Sequence, residues 1–243
     1  MQSQAAAHIH QALQDSTRLL VLTGAGVSTA SGIPDFKTLD TTWKHEIPRN
    51  VAMSIWYWKE EPEQFWETYV DIFDVRVHRQ PNSFHQYLVG LEETALVTIA
   101  TQNVDRLHHK AHSTHVIEFH GNMHENICMQ CFKVTRAIAD LNASLVPRCK
   151  ECRVVLKPNI SLFGEGVNGL GEVTDVLHEI DTLLVAGTSL QVGPFNEIPI
   201  YCQEMFPDMK RYLINSEPVS NDYTFGEQFI GTTEDFMKHT LRD

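Results

Sequence analysis

Arg18-Leu19-Leu20-Val21-Leu22-Thr23-Gly24-Ala25-Gly26-Val27-Ser28-Thr29-Ala30-Ser31-Gly32 is the stretch that decides the fold. Its first six residues form a short apolar run that stops at glycine, the pattern of a parallel strand buried on both faces. Comparable runs recur at 95–101, 183–187 and 212–215. Helical spacing separates them: Phe84, Tyr87, Leu88 and Leu91 fall at i, i+3, i+4 and i+7, and Ile9 and Leu13 share one face of an N-terminal helix. This alternation predicts an α/β fold with a doubly wound parallel sheet. Two stretches break the alternation. Residues 38–79 are rich in Trp, Phe and Tyr and read as helical, and residues 123–156 hold four cysteines. Both are excursions that build a smaller second lobe.

Glycines after a first strand let the backbone turn sharply and approach a pyrophosphate held by helix-start amides. The full dinucleotide fingerprint would have a third glycine where this chain has Thr29. No second strand ending in an acidic residue follows about twenty residues later, which argues against a hydride-transfer dehydrogenase. By itself the turn fits a phosphate cradle and a ligand-free strand-to-helix corner about equally well.

Composition narrows the choices. Apolar residues at 42% and charged residues at 21% are those of a globular chain, and no apolar run is long enough to cross a bilayer. The net charge of −12 makes nucleic acid an improbable partner; it suits a lysine-rich peptide, or simply solubility. Residues 1–15 carry no basic-then-apolar signal pattern, so a cytoplasmic protein is expected. Nothing in the sequence specifies an oligomeric state.

Cys128-Met-Gln-Cys131 and Cys149-Lys-Glu-Cys152 are two C-x-x-C pairs separated by seventeen residues. A matched pair at this spacing suits one tetrahedral zinc better than a redox dithiol. Four thiolates leave no open position, so the metal is expected to be structural. Cys202 stands apart and reads as a buried apolar residue.

After the strand at 95–101 come Gln102-Asn103-Val104-Asp105, and then His120-Gly121. The carboxyl edge of such a sheet is where ligands bind, and amide and carboxylate groups there can hold amides and hydroxyls. Six of the thirteen histidines lie between His108 and His124, and most need no chemical role. His120 differs only in the glycine that follows it.

Taken in order, these motifs resemble the sirtuin family across nearly the whole chain: Gly24-Ala25-Gly26-Val27-Ser28, Ser31-Gly32-Ile33-Pro34-Asp35-Phe36, Thr101-Gln102-Asn103-Val104-Asp105, His120-Gly121, the cysteine pairs, Phe163-Gly164-Glu165, Gly187-Thr188-Ser189 and Ile214-Asn215. The resemblance implies an NAD-consuming protein-lysine deacylase. Its Rossmann-like part would span about 1–37, 80–122 and 157–243, with a helical insertion at about 38–79 and a zinc lobe at about 123–156. It also implies roles. Gly24, Ala25, Gly26, Thr29, Ile33, Asp35, Phe36 and Lys37 would surround the pyrophosphate, ribose and nicotinamide of NAD, together with Gln102, Val104 and Asp105. Gly187, Thr188, Ser189, Asn215 and Thr232 would take the adenosine half. Ser161, Phe163, Gly164, Glu165 and Val167 would meet the acylated lysine of a protein substrate, the segment pairing with the peptide as an added strand. Asn103 would assist catalysis, and His120 would take a proton from a ribose hydroxyl.

The chain departs from the family pattern at Lys37, usually arginine, at His112, usually glycine, and at Ser161, usually aliphatic. A protein mono-ADP-ribosyltransferase shares the same NAD site and remains an alternative. Asn103, Asp105 and His120 argue against a non-catalytic NAD sensor, and the large α/β body argues against a zinc-knuckle interaction module. Relatives that take acidic acyl groups carry Tyr-x-x-Arg in the helical insertion, whereas Tyr69 is followed by Val70, Asp71 and Ile72. An acidic acyl group would lack a counter-charge, so acetyl removal should exceed succinyl removal by at least about tenfold. Turnover of the two modifications on one peptide sequence measures this directly; equal rates would refute it.

Overall fold

The computed structural model describes residues 2–240, apart from the side chain of Phe36. Nine strands are present among these residues: β1 (Arg18–Thr23), β2 (Leu96–Thr101), β3 (His115–Glu118), β4 (Gly121–Ile127), β5 (Val134–Arg136), β6 (Lys157–Ile160), β7 (Thr182–Ala186), β8 (Lys210–Asn215) and β9 (Glu227–Ile230). Six of them form a parallel sheet in the order β3-β2-β1-β7-β8-β9. Counted within that sheet alone, the order is 3-2-1-4-5-6, the doubly wound dinucleotide-binding arrangement. The chain reverses its direction of travel between β1 and β7, the point at which such a sheet places a ligand crevice at its carboxyl edge.

The apolar runs of β1 and β7 are buried throughout, apart from Arg18. One face of the sheet is covered by the helices Gln2–Gln14, Ser83–Leu91 and Thr233–Thr240, through Ile9, Leu13, Phe84, Leu88 and Phe236. The other is covered by Leu170–Val176 and Glu197–Met205, through Val173, Ile198 and Cys202. Cys202 is buried, as its isolation predicts. The short edge strands β3 and β9 carry no continuous apolar run to announce them, because few of their residues are fully buried. No helix among the described residues is long and apolar enough to cross a membrane.

Residues 38–79 are helical, as expected, mainly through Ile55–Glu60 and Pro62–Ile72. The cysteine-bearing excursion adds an antiparallel sheet of order β5-β4-β6 and the helix Ala137–Ala143. The two excursions share one apolar cluster: Trp58, Phe65, Trp66 and Tyr69 pack with Met123, Leu141, Ile160 and Leu162. Trp58 and Trp66 both donate their indole N–H to the carbonyl of Leu156, at 3.3 and 2.8 Å. A buried indole N–H needs such an acceptor, so this carbonyl fixes how the halves dock.

At the amino edge of the large sheet, Asp181 gathers the entrances to β1 and β7. It accepts from Ser16 Oγ at 2.6 Å, Thr17 N at 2.9 Å, Thr17 Oγ1 at 2.6 Å, Arg18 N at 2.9 Å and Thr182 Oγ1 at 2.7 Å. Partial burial opposes its ionisation, but the hydrogen bonds from Ser16, Thr17 and Thr182 outweigh this and hold the carboxyl well below the usual range. That stabilisation is present above the unfolded carboxyl value and is lost as pH falls through the lower folded one. Asp181→Ala should destabilise the protein by about 1.5–3 kcal/mol, the worth of hydrogen bonds to a charged group. Urea unfolding near neutral pH, compared with unfolding in acid where the difference should shrink, checks this.

Candidate active site

The ends of β1, β2 and β7 are in register, Thr23 opposite both Thr101 and Ala186, so the segments that follow leave the sheet side by side. Gly26 N donates to the carbonyl of Gly187 at 2.9 Å. A Cβ on Gly24 would lie 2.7 Å from Thr188 Cβ, and one on Gly26 would lie 2.8 Å from Gly187 Cα. These glycines therefore have a reason that is independent of any ligand: two strand ends cross at backbone distance. The chain then coils as a 3-10 helix, Ala25–Ser31, tighter than the α-helix that a phosphate cradle usually opens into.

The polar segment locks onto this crossing. Asn103 Nδ2 donates to Gly24 O at 3.0 Å and to Ser28 Oγ at 3.2 Å, and Thr188 Oγ1 donates to Gln102 Oε1 at 3.0 Å. Asp105 is buried, accepting from Ser28 Oγ at 2.7 Å and from Leu107 N at 2.8 Å. Ser28 is thus a site residue with no signal of its own in the sequence, being a small hydroxyl inside a turn motif. Behind it, His108 Nε2 shares a 3.0 Å hydrogen bond with Thr23 Oγ1, and its ring lies 4.8 Å from that of His85. Burial pushes His108 well below the usual imidazole value. Burial also takes His85 down to about 4, against the opposing charge of Asp105. Both rings are neutral supports at ordinary pH.

His120 is suspended between these elements. Phe119 N donates to Thr101 O and Met123 N to Val104 O, both at 2.9 Å, which fixes its chain along the polar segment. Its own carbonyl accepts from Ser161 N at 2.9 Å. Gly121 follows at φ +69°, where a Cβ would approach Asn159 O to 2.2 Å, so the residue after His120 must be glycine for packing reasons. Burial lowers the His120 pKa, and its buried Nδ1 has no hydrogen-bond partner among the described residues.

Other expected site residues lie around this centre with visible local jobs. Ile33 and Val104 are half-buried, and Thr29 is exposed with its hydroxyl on Gly26 O at 3.0 Å. Asp35 accepts from Thr38 N at 2.8 Å and caps the helix Phe36–Thr42; the ring of Phe36 lies outside the described residues. Lys37 is exposed and ion-paired with Glu217, whose carbonyl accepts from Asn215 Nδ2 at 2.8 Å. Ser189 is exposed at the turn after β7. Thr232 Oγ1 donates to Asp235 Oδ2 at 2.7 Å and accepts from Asp235 N, so its hydroxyl caps the last helix. Phe163 N donates to Met53 O and Phe163 O accepts from Ile55 N, each at 3.0 Å. The expected peptide-pairing groups of Phe163 are thereby already occupied by the helical excursion. Val167 packs against the core beneath the sheet. His112 sits at φ +75°, the left-handed region where glycine is unstrained.

The cysteines form a separate centre. Both pairs adopt one turn: Cys128 N donates to Lys133 O and Phe132 N to Cys128 O, while Cys149 N donates to Val154 O and Arg153 N to Cys149 O. Phe132 and Arg153, each just after a second cysteine, take φ of +60° and +63°. The four sulfurs lie within 4.8 Å of one another, and Cys131 Sγ is 3.8 Å from Cys149 Sγ. Two thiolates on one tetrahedral zinc at about 2.3 Å would be about 3.8 Å apart, so the donor set and its spacing fit zinc. The backbone N–H groups of Cys131 and Gln130 lower the Cys128 thiol to about 7, whereas hydrogen bonding with Cys131 takes Cys152 up to about 12, so the fit to zinc rests on the donor set and its spacing.

The fold and these two centres define a dinucleotide-binding α/β protein with a closed, zinc-type lobe set beside its crevice. A family model described as the Sir2 family matches residues 24–194. NAD-dependent protein deacetylase 2 of Geobacillus kaustophilus is 38% identical over 218 residues, 88% of this chain and 88% of that protein. The NAD-dependent protein deacetylase of Chromobacterium violaceum is 37% identical over 221 residues, 90% of this chain and 89% of its own. A solved structure of Sir2 bound to acetylated peptide superposes with a TM-score of 0.83 at 30% identity, covering 97% of this chain and 96% of the other. The chain belongs to the Sir2 family.

Zinc held by four cysteines contributes on the order of 10 kcal/mol to small metal-organised units. Cys149→Ser, or prolonged chelation, should therefore lower the melting temperature sharply and release one equivalent of zinc. Calorimetry paired with metal analysis tests this; unchanged melting after complete zinc loss would refute a structural metal.

Proposed function

We propose that this protein removes acetyl or other neutral acyl groups from protein lysine side chains at the expense of NAD, giving nicotinamide and O-acyl-ADP-ribose. The observation that carries the proposal is the convergence of Asn103, Asp105 and the glycine turn on one hydrogen-bonded crossing, with His120 held along Thr101–Val104 by the bonds of Phe119 and Met123 and joined to Ser161 by its own carbonyl. Family membership and relatives named NAD-dependent protein deacetylase support it.

In this reading the crevice between β1 and β7 receives NAD, which supplies a cleavable nicotinamide–ribose bond and a ribose hydroxyl. Gly24, Ala25 and Gly26 allow close backbone approach to the pyrophosphate. Asp105 holds the carboxamide end beside Ile33 and Val104, while Gln102 and Asn103 orient the ribose. Thr29, Asp35, Phe36 and Lys37 close over the reacting side, and Gly187, Thr188, Ser189, Asn215 and Thr232 line the adenosine side. Residues 161–167 take the peptide, Phe163 walls the acyl group, and the helical insertion holds that wall in place through Met53 and Ile55. The Rossmann-like part then comprises about 1–37, 80–122 and 157–243, with the helical insertion and zinc segment as one lobe, to whose sheet β6 lends Lys157–Ile160. Cysteines arranged to ligate a metal rather than to form disulfides suit a reducing, cytoplasmic setting.

His120 acts as the general base. Because burial favours its neutral form, it stays competent at a lower pH than an exposed imidazole. The acid limb of the deacetylation profile should therefore fall below the ordinary value of 6.5. His120→Ala should slow deacetylation by about 10²–10⁴-fold with melting temperature and zinc content unchanged. Mass spectrometry of an acetyl-lysine peptide incubated with NAD reads the rate, and calorimetry with metal analysis reads the fold and the zinc. A folded mutant as fast as the parent would refute the assignment, and protein ADP-ribosylation at the parent rate would favour a transferase instead.

A further inference from the structure

β6 is an edge strand, and its pairing with β4 is interrupted between Gly121↔Ile160 and Asn126↔Pro158. Buried carbonyls in such a break need donors from elsewhere. Lys157 supplies them. It is buried, and its Nζ donates to Ile160 O at 2.6 Å, to Pro158 O at 3.2 Å and to Glu165 Oε2 at 2.8 Å. An ammonium has three donors, and these three acceptors match them. The same Glu165 oxygen accepts from Leu162 N at 2.9 Å, and Glu165 N returns a bond to Leu162 O at 3.0 Å.

The result is a closed turn, Leu162-Phe163-Gly164-Glu165, with Gly164 at φ +90°. Its outer side is fitted to the helical excursion: Phe163 bonds Met53 and Ile55, and a Cβ on Gly164 would sit 1.9 Å from the Trp56 ring. Ser161 Oγ donates to Gly166 O at 2.9 Å and shapes the next residues. The inner side of the turn is held by Lys157 through Glu165. Stability alone does not explain a buried ammonium here, because desolvation offsets most of what an ion pair contributes. Geometry does, since an apolar side chain could neither cap two carbonyls nor aim the Glu165 carboxylate.

We infer that Lys157 is a positioning residue that sets the Phe163–Val167 segment for the acylated peptide, acting through Glu165 and without touching substrate. This rests on the assignment of residues 161–167 to the peptide. None of the bonds of Lys157 reaches the glycine turn, the 102–105 segment or the turn after β7, so its loss should be felt on one side of the reaction only.

Initial rates with acetyl-lysine peptide varied at saturating NAD, and with NAD varied at saturating peptide, test this. If the parent does not deacetylate, the functional assignment falls, whatever Lys157 does. If it does, Lys157→Met should raise the KM for peptide about tenfold while leaving the KM for NAD and the zinc content alone. Lys157→Arg, which keeps a charged donor, should lie nearer the parent. A folded Lys157→Met protein whose peptide KM stays within about twofold of the parent overturns the inference, as do parallel rises in both constants. Should Lys157→Met fail to fold, Lys157→Gln keeps a donor for the buried carbonyls and removes only the charge that holds Glu165. It should raise the peptide KM alone, and an unchanged peptide KM would again overturn the inference.

Discussion

The crossing of two backbones at Gly24, Gly26 and Gly187 is the contact on which the rest of the molecule depends. No side chain fits between the ends of β1 and β7, so the strands run to the same level and release their loops into one crevice. Asn103 then bonds directly to that crossing and to the Ser28 hydroxyl, which in turn donates to Asp105. A β-carbon at any of the three glycines would push these polar groups apart before any ligand arrived. Glycine here serves packing and binding by the same property, the absence of a side chain.

Burial does most of the electrostatic tuning. His85, His108 and His120 are all held towards the neutral form, chiefly by desolvation. Asp105 is buried within reach of His85, yet it retains donors from Ser28 and Leu107. The site thus sets uncharged imidazoles beside a hydrogen-bonded acidic side chain, an arrangement in which one ring can accept a proton while the others serve as polar packing.

Much of this was legible in the sequence because it rests on local rules. Short apolar runs located β1, β2, β7 and β8, the first and third of them ending in glycine, and the cysteine spacing located the metal lobe. The four-residue edge strands β3 and β9 were not legible, since a strand covered on few sides needs no apolar run. Ser28 and Lys157 were equally silent. A serine in a glycine turn and a lysine before a proline have no distinctive pattern, and their partners Asp105 and Glu165 come together only in the folded chain. The left-handed turns at Phe132 and Arg153 follow from how a chain doubles back after two ligands, a geometry that residue type did not reveal.

The shared core of the small lobe has a consequence for synthesis. Trp66 finds its carbonyl acceptor ninety residues further along the chain, on Leu156. At the ribosomal pace of about 5–20 residues per second, the aromatic helix Pro62–Ile72 emerges roughly 5–18 seconds before that partner exists. For that interval Phe65, Trp66 and Tyr69 have no lid, and the growing chain is at its stickiest. The cysteine segment is thus the cover that ends this window. A cell short of zinc would lengthen the exposure of newly made chains, even where finished molecules keep their metal.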